Sequence, residues 1–134
     1  MTSMASRTGK ICYVEIPAQD VELSASFYRR AFDWNIRQHD DGTTAFDDTT
    51  GQVSGMWVLG RTPALEPGFV ISIMVADAHR ALDKIVAAGG EIVREINPDA
   101  REITAWFRDP AGNVLGIYEE SGLAEIETQR TAHG

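Results

Sequence analysis

An aspartate that ends a short apolar strand segment and opens an amphipathic helix occurs twice in this chain, at Asp20 and at Asp77. A carboxylate at that place can accept from the free N–H groups of a first helical turn, so each Asp marks a helix start. The surroundings repeat as well. Ile11 to Pro17 reads as a strand before Asp20, and Phe69 to Val75 as one before Asp77. After Asp20 the residues Leu23, Phe27 and Ala31, with Tyr28 and Phe32 one step round, form an apolar stripe at helical spacing. After Asp77 the same stripe is Ala78, Ala81, Leu82, Ile85 and Val86, stopped by Gly89-Gly90.

Three strands follow each helix. In the first half they are Trp34 to Gln38 and Thr43 to Phe46, around the hairpin signal Asp41-Gly42, and then Gln52 to Leu59. In the second half they are Glu91 to Ile96, Ile103 to Arg108 and Val114 to Glu119, the last two joined by the turn Asp109-Pro110-Ala111-Gly112-Asn113. Between the halves, Gly60 to Gly68 carries Pro63 and Pro67 without periodicity and reads as a linker. A repeated βαβββ order predicts an α+β protein of two similar modules, about 10–60 and 68–120, in one domain spanning 10–120. Residues 1–9 are expected to be a flexible start, and 121–134 a polar tail, either a short helix or unstructured.

At 134 residues the chain is long enough to bury a core without staples. Its net charge of -8 argues against nucleic acid and against anionic membranes, both of which need clustered Lys and Arg. No apolar run approaches the roughly 20 residues of a membrane span, and the polar start lacks the apolar stretch of a signal peptide. Cys12, the one cysteine, has no internal disulfide partner, so the expected compartment is the cytoplasm.

Strand alternation places Tyr13 and Glu15 on one face of the first strand and Cys12, Val14 and Ile16 on the other. The apolar set should pack under the helix, with Cys12 an inert buried thiol, which sends Tyr13 and Glu15 to a cleft. A carboxylate there serves either as a base or ligand contact, or as a structural group paired with an Arg. Met56, Trp57, Trp106 and Tyr118 also fall on inner-strand segments and together suit a flat organic ligand, although each alone reads more readily as core. Trp34 is read as core. His39, His79 and His133 have no second ligand at metal-site spacing and are expected in solvent, as is the Asp47-Asp48 turn.

Seven segments, in order and spacing, resemble the vicinal oxygen chelate (VOC) superfamily, the glyoxalase, bleomycin-resistance and extradiol-dioxygenase group. They are Tyr13-Val14-Glu15-Ile16-Pro17, Phe27-Tyr28, Phe32-Asp33-Trp34, Gly55, Val75-Ala76-Asp77, Ala88-Gly89-Gly90 and Asp109-Pro110-Ala111-Gly112-Asn113, across roughly residues 10–120. The resemblance implies two modules whose mixed sheets form a partly closed cleft with helices outside, and a homodimer. Metal-dependent members place His and Glu ligands on the inner strands. The matching positions here are Tyr13, Ile71 and Gly116, and the strand Gln52 to Leu59 contains no His, Asp, Glu or Cys. The resemblance therefore implies a protein with no metal and no other cofactor.

The leading expectation is a metal-independent binder of a small planar organic molecule, of the resistance or sequestration type, lined by Tyr13, Glu15, Met56, Trp57, Ile71, Trp106, Gly116 and Tyr118. One alternative is a lyase-, isomerase- or dioxygenase-like enzyme, with Glu15 as base or with an unconventional metal held by Glu15, Asp47 or Glu102. Another is a non-catalytic accessory dimer.

Overall fold

The computed structural model describes residues 7–120 and 122–133, with side chains described as far as 129. Most of the expected flexible start, and the side chain of His133, lie outside the described residues. The chain runs β1 (Tyr13–Pro17), α1 (Val21–Phe32), β2 (Asn35–Gln38), β3 (Thr44–Asp47), β4 (Ser54–Val58), β5 (Ser72–Val75), α2 (Ala78–Ala87), β6 (Glu91–Arg94), β7 (Thr104–Arg108), β8 (Val114–Glu119) and α3 (Leu123–His133). The polar tail thus carries a helix.

Both helices start where the sequence places them. Asp20 accepts from the Leu23 amide and Asp77 from the Arg80 amide, each at 3.1 Å, and both caps are extended in backbone. Asp33 ends α1 in the left-handed region at φ 59, an uncommon conformation that Asp tolerates better than most residues. Gly89, at φ 105, takes the chain out of α2.

Each module forms a four-stranded sheet of the same order, β1-β4-β3-β2 and β5-β8-β7-β6. β1 runs parallel to β4, and β5 to β8, while the remaining neighbours are antiparallel. One face of each sheet carries the large apolar residues: Ile16, Phe46 and Trp57 in the first, and Phe107, Leu115 and Ile117 in the second, all at most 4% exposed. These faces, α1 and α2 build a single core. α1 touches α2, and its Phe27 lies 5.9 Å, ring to ring, from Phe107 of the other module. Within the first module Tyr28 stacks on Trp34 and Trp34 on Phe46, each pair at 4.6 Å between ring centroids. Trp34 is the core residue its sequence position suggests.

The modules are also joined by polar bonds. Tyr28 donates to Asp109 at 2.8 Å, Asn113 donates to the Pro17 carbonyl at 2.7 Å, and the Ala64 amide donates to Asn113 at 2.8 Å. The Asp109–Asn113 turn therefore anchors the end of β1 and the linker. Because both sheets direct their apolar face at one core, the opposite faces stay open. The sheets do not close on one another.

Cys12 corrects one expectation: it is exposed. It precedes β1, and burial rises along that strand, from Cys12 through half-buried Val14 to Ile16 at 4% exposed. Parity alone gives the correct face but not how far the cover extends.

Candidate functional site: the open sheet faces

Cross-strand pairing fixes which side chains share each open face. In the first module Tyr13, Ser54, Asp47 and Asn35 stand opposite one another in one row, and Glu15, Met56, Ala45 and Arg37 in the next. In the second module one row is Ser72, Gly116, Trp106 and Arg94, and beside it lie Met74, Tyr118 and Thr104. Of the residues singled out by sequence, Tyr13, Glu15 and Met56 lie on the first open face, and Trp106, Gly116 and Tyr118 on the second. Tyr13 is 51% exposed and Ile71 45%, unusual for large apolar groups on a sheet unless something covers them.

Trp57 is not on an open face. It is 2% exposed, lies on the helix side and packs at 4.9 Å against Phe46 and 6.0 Å against Tyr28. It follows Met56 directly, so strand alternation can bring only one of the two to the open side. Ile71 falls just before β5, where its carbonyl accepts from the Gly116 amide at 2.8 Å. With Val14, Glu15, Phe69 and Val114 it lines a shallow groove of about 90 Å³ between the modules. That groove is well below the roughly 300 Å³ at which ordinary ligand sites begin.

Glu15 has a partner: Arg61 Nη1 lies 2.9 Å from its carboxylate, with both side chains about half exposed. Across the same face Asp47 accepts from Ser54 at 2.6 Å, from Arg37 Nε at 2.8 Å and Nη2 at 3.0 Å, and from Asn35 at 3.3 Å. The Ser54 hydroxyl, then the Arg37 guanidinium, holds the Asp47 carboxyl below the usual carboxylate range. On the second face the Tyr118 hydroxyl donates to Glu102 at 2.6 Å, and this bond to a carboxylate raises its pKa.

The family's metal requires donor side chains, and the positions that match its ligands here carry few. Gly116 has no side chain, Ile71 has no donor atom, and β4 brings Ser54, Met56 and Val58 to its open face, none of them a His or a carboxylate. Among the described residues no group of three or more His, Cys, Asp or Glu side chains could hold a metal ion, so Glu15, Asp47 and Glu102 do not form a substitute set. Among these residues, too, no helix is long and apolar enough to cross a membrane.

The contribution of Arg94 could not be anticipated. Ile92 pairs with Phe107 and Arg94 with the adjacent Trp106, so Val93 is an extra residue, a β-bulge. Simple alternation would put Arg94 with Ile92 under the helix. The bulge turns it to the open face, where its guanidinium lies 4.1 Å from the centre of the Trp106 ring.

Paired βαβββ modules with open, aromatic-bearing sheet faces define a class of α+β proteins. The chain belongs to the Glyoxalase/Bleomycin resistance protein/Dioxygenase superfamily, which residues 10–117 match. No curated protein matches it in sequence. Among solved structures, a member of this superfamily from Sphaerobacter thermophilus is similar at 21% identity and TM-score 0.67, covering 84% of this chain and 98% of that one. TnmS3, an antibiotic binding protein from Streptomyces sp. CB03234, is similar at 18% identity and TM-score 0.64, over 87% of this chain and 99% of its own. The fosfomycin resistance protein FosX from Mesorhizobium loti is similar at 14% identity and TM-score 0.65, over 90% and 99%. At these identities the likeness is one of fold.

Proposed function

We propose that this protein binds a small planar organic molecule without a metal or other cofactor, as a resistance or sequestration protein, and works as a homodimer. The observation that carries this reading is the make-up of the open faces. They hold Tyr13, Met56, Met74, Trp106 and Tyr118, which suit stacking and apolar burial, where a metal enzyme of this fold needs imidazoles and carboxylates. Similar folds that bind or resist antibiotics, TnmS3 and FosX, make such a role familiar for the architecture.

What one chain leaves exposed supports the dimer. Phe69 is 95% exposed, Met74 59% and Tyr13 51%, and the groove within the chain is too small for a drug-sized ligand. A second copy laid against the open faces buries these groups and encloses a larger site. The unpartnered Cys12 fits the reducing cytoplasm.

Glu15 then serves as a polar contact held by Arg61.

The test combines elemental analysis of tag-free protein purified without chelator, native mass spectrometry, and a binding screen of aromatic antibiotics and metabolites. Expected are well under one metal per chain after dialysis against Ni, Zn, Mn or Fe(II), a dimer mass, and saturable binding of a planar compound. Near-stoichiometric metal, a monomer that binds with full affinity, or turnover of the bound compound would each overturn the part it addresses.

A further inference from the structure

We infer that the open face of the second sheet selects an anionic planar molecule, an aromatic carrying a carboxylate or an acidic phenol, and that Arg94 is the residue that reads its charge. The inference rests on the reading of this face as a site for a planar compound and adds the chemical class.

Three observations converge on one cross-strand row. Ser72, Gly116, Trp106 and Arg94 lie in line across β5, β8, β7 and β6. Gly116 is itself buried, and its missing side chain lets a hydroxyl and an indole edge approach closely over the sheet. A methyl group placed there would stand 3.0 Å from Ser72 Oγ and 3.3 Å from Trp106 Cδ1. At the far end, the bulge at Val93 departs from regular pairing and brings Arg94 to this face. Bulges next to binding sites commonly re-aim a side chain in this way.

The state of Arg94 is the third observation. In a chain of net charge -8, its guanidinium has no carboxylate and no hydrogen-bond partner among the described residues, and its contact is the Trp106 ring. The neighbouring acids are engaged elsewhere: Glu91 lies 3.7 Å from Arg108, and Glu102 accepts from Tyr118. Arg108 lies in the neighbouring row. It stands on the same face two residues along β7 from Trp106, and its buried Nε has no hydrogen-bond partner among the described residues.

A planar ligand lying against Ser72 and the Trp106 edge would meet the Arg94 guanidinium at one end and a hydroxyl at the other. The fork of an arginine matches a carboxylate in two parallel hydrogen bonds, so a negative group is the complement of this end.

The test compares anthraquinone-2-carboxylate with anthraquinone-2-carboxamide, two probes of nearly equal shape that differ in charge, by calorimetry and by quenching of tryptophan fluorescence, with W106L isolating the share of Trp106. The full-length protein is compared with R94Q, R94K and W106L. Because Arg94 makes no hydrogen bond, R94Q should keep the native melting temperature and circular dichroism. The carboxylate is expected to bind about tenfold or more tightly than the amide, the factor expected from one charge-assisted hydrogen bond. That ratio should fall to near one in R94Q and recover in part in R94K, and W106L should weaken both probes together. Equal binding of the two probes, or a ratio that R94Q leaves intact, overturns the inference while leaving a planar-ligand site in place. Failure of both probes to bind overturns the site and the inference together.

Discussion

The Tyr28 hydroxyl, on the helix of the first module, donates a 2.8 Å hydrogen bond to Asp109, at the turn that closes the second. Tyr28 is fully buried, and Asp109 is 3% exposed and also accepts from the Ala111 and Asn113 amides and the Asn113 side chain. The bond joins positions 81 residues apart, so it forms only once both modules are folded.

Removing that donor leaves a buried carboxylate one bond short. Y28F is expected to lower stability by about 1–3 kcal/mol, read as a lower melting temperature with unchanged secondary structure. An unchanged melting temperature would mean that the latch is dispensable.

The same residue sets a response to alkali. Burial first, and then the Asp109 charge, push the Tyr28 pKa well above its ordinary value, so the folded state favours the neutral phenol. The unfolded chain loses that proton near pH 10, as a free tyrosine does. The contribution of Tyr28 is thus fully present below about pH 10 and is lost as pH rises further. Denaturant unfolding from pH 8 to 11 should show stability falling at the alkaline end, with a shallower fall in Y28F. Parallel curves would contradict the assignment.

Asp47 gives the opposite sign. Its folded pKa is held down by Ser54 and Arg37, so its contribution is present above the ordinary carboxylate value, about 4, and is lost as pH falls below it. The stability gap between the natural protein and D47N should close between pH 5 and pH 2. S54A, which removes the largest cause, should narrow that gap already at pH 7.

Two glycines separate folding from binding. A methyl group at Gly55 would come 2.0 Å from the Val14 carbonyl and 2.4 Å from the Phe46 ring, and neither backbone nor core can yield that space. G55A is expected to destabilise by about 3 kcal/mol or more, since overpacking here must move backbone. At Gly116 the tight neighbours are a hydroxyl and an indole edge on an open face. G116A should melt close to the natural protein while weakening the planar ligand severalfold by titration. Equal loss of binding and melting temperature in G116A would place Gly116 in the fold and not in the site.

E15Q tests the role of the Glu15–Arg61 pair. Both partners are about half exposed, so the stability change should be under about 1 kcal/mol. Ligand affinity should fall modestly, and turnover of any compound should be absent before and after the change. A reaction that E15Q abolishes while binding persists would make Glu15 a base.

The two helices, their Asp caps, the six strands behind them and the Asp109–Asn113 turn were legible because each rests on local chemistry: a side chain satisfying a first-turn amide, an apolar period, a turn residue. That Ile71 and Gly116 carry no donor atom is likewise a property of the residue, read directly from the sequence. The helix side of Trp57 and the exposure of Cys12 were not legible. Parity gives relative faces along a strand, but its origin for β4 and the reach of the cover over β1 depend on packing between distant segments. Arg94 is the sharpest case. One bulged residue, Val93, reverses the alternation that sequence reading relies on, and the register between β6 and β7 that creates it exists only in the assembled sheet. The sequence by itself determined the repeated module, its helix caps and its turns. The tertiary structure decided which side chains stand together on the open faces, because that depends on strand register and on a core shared by both modules.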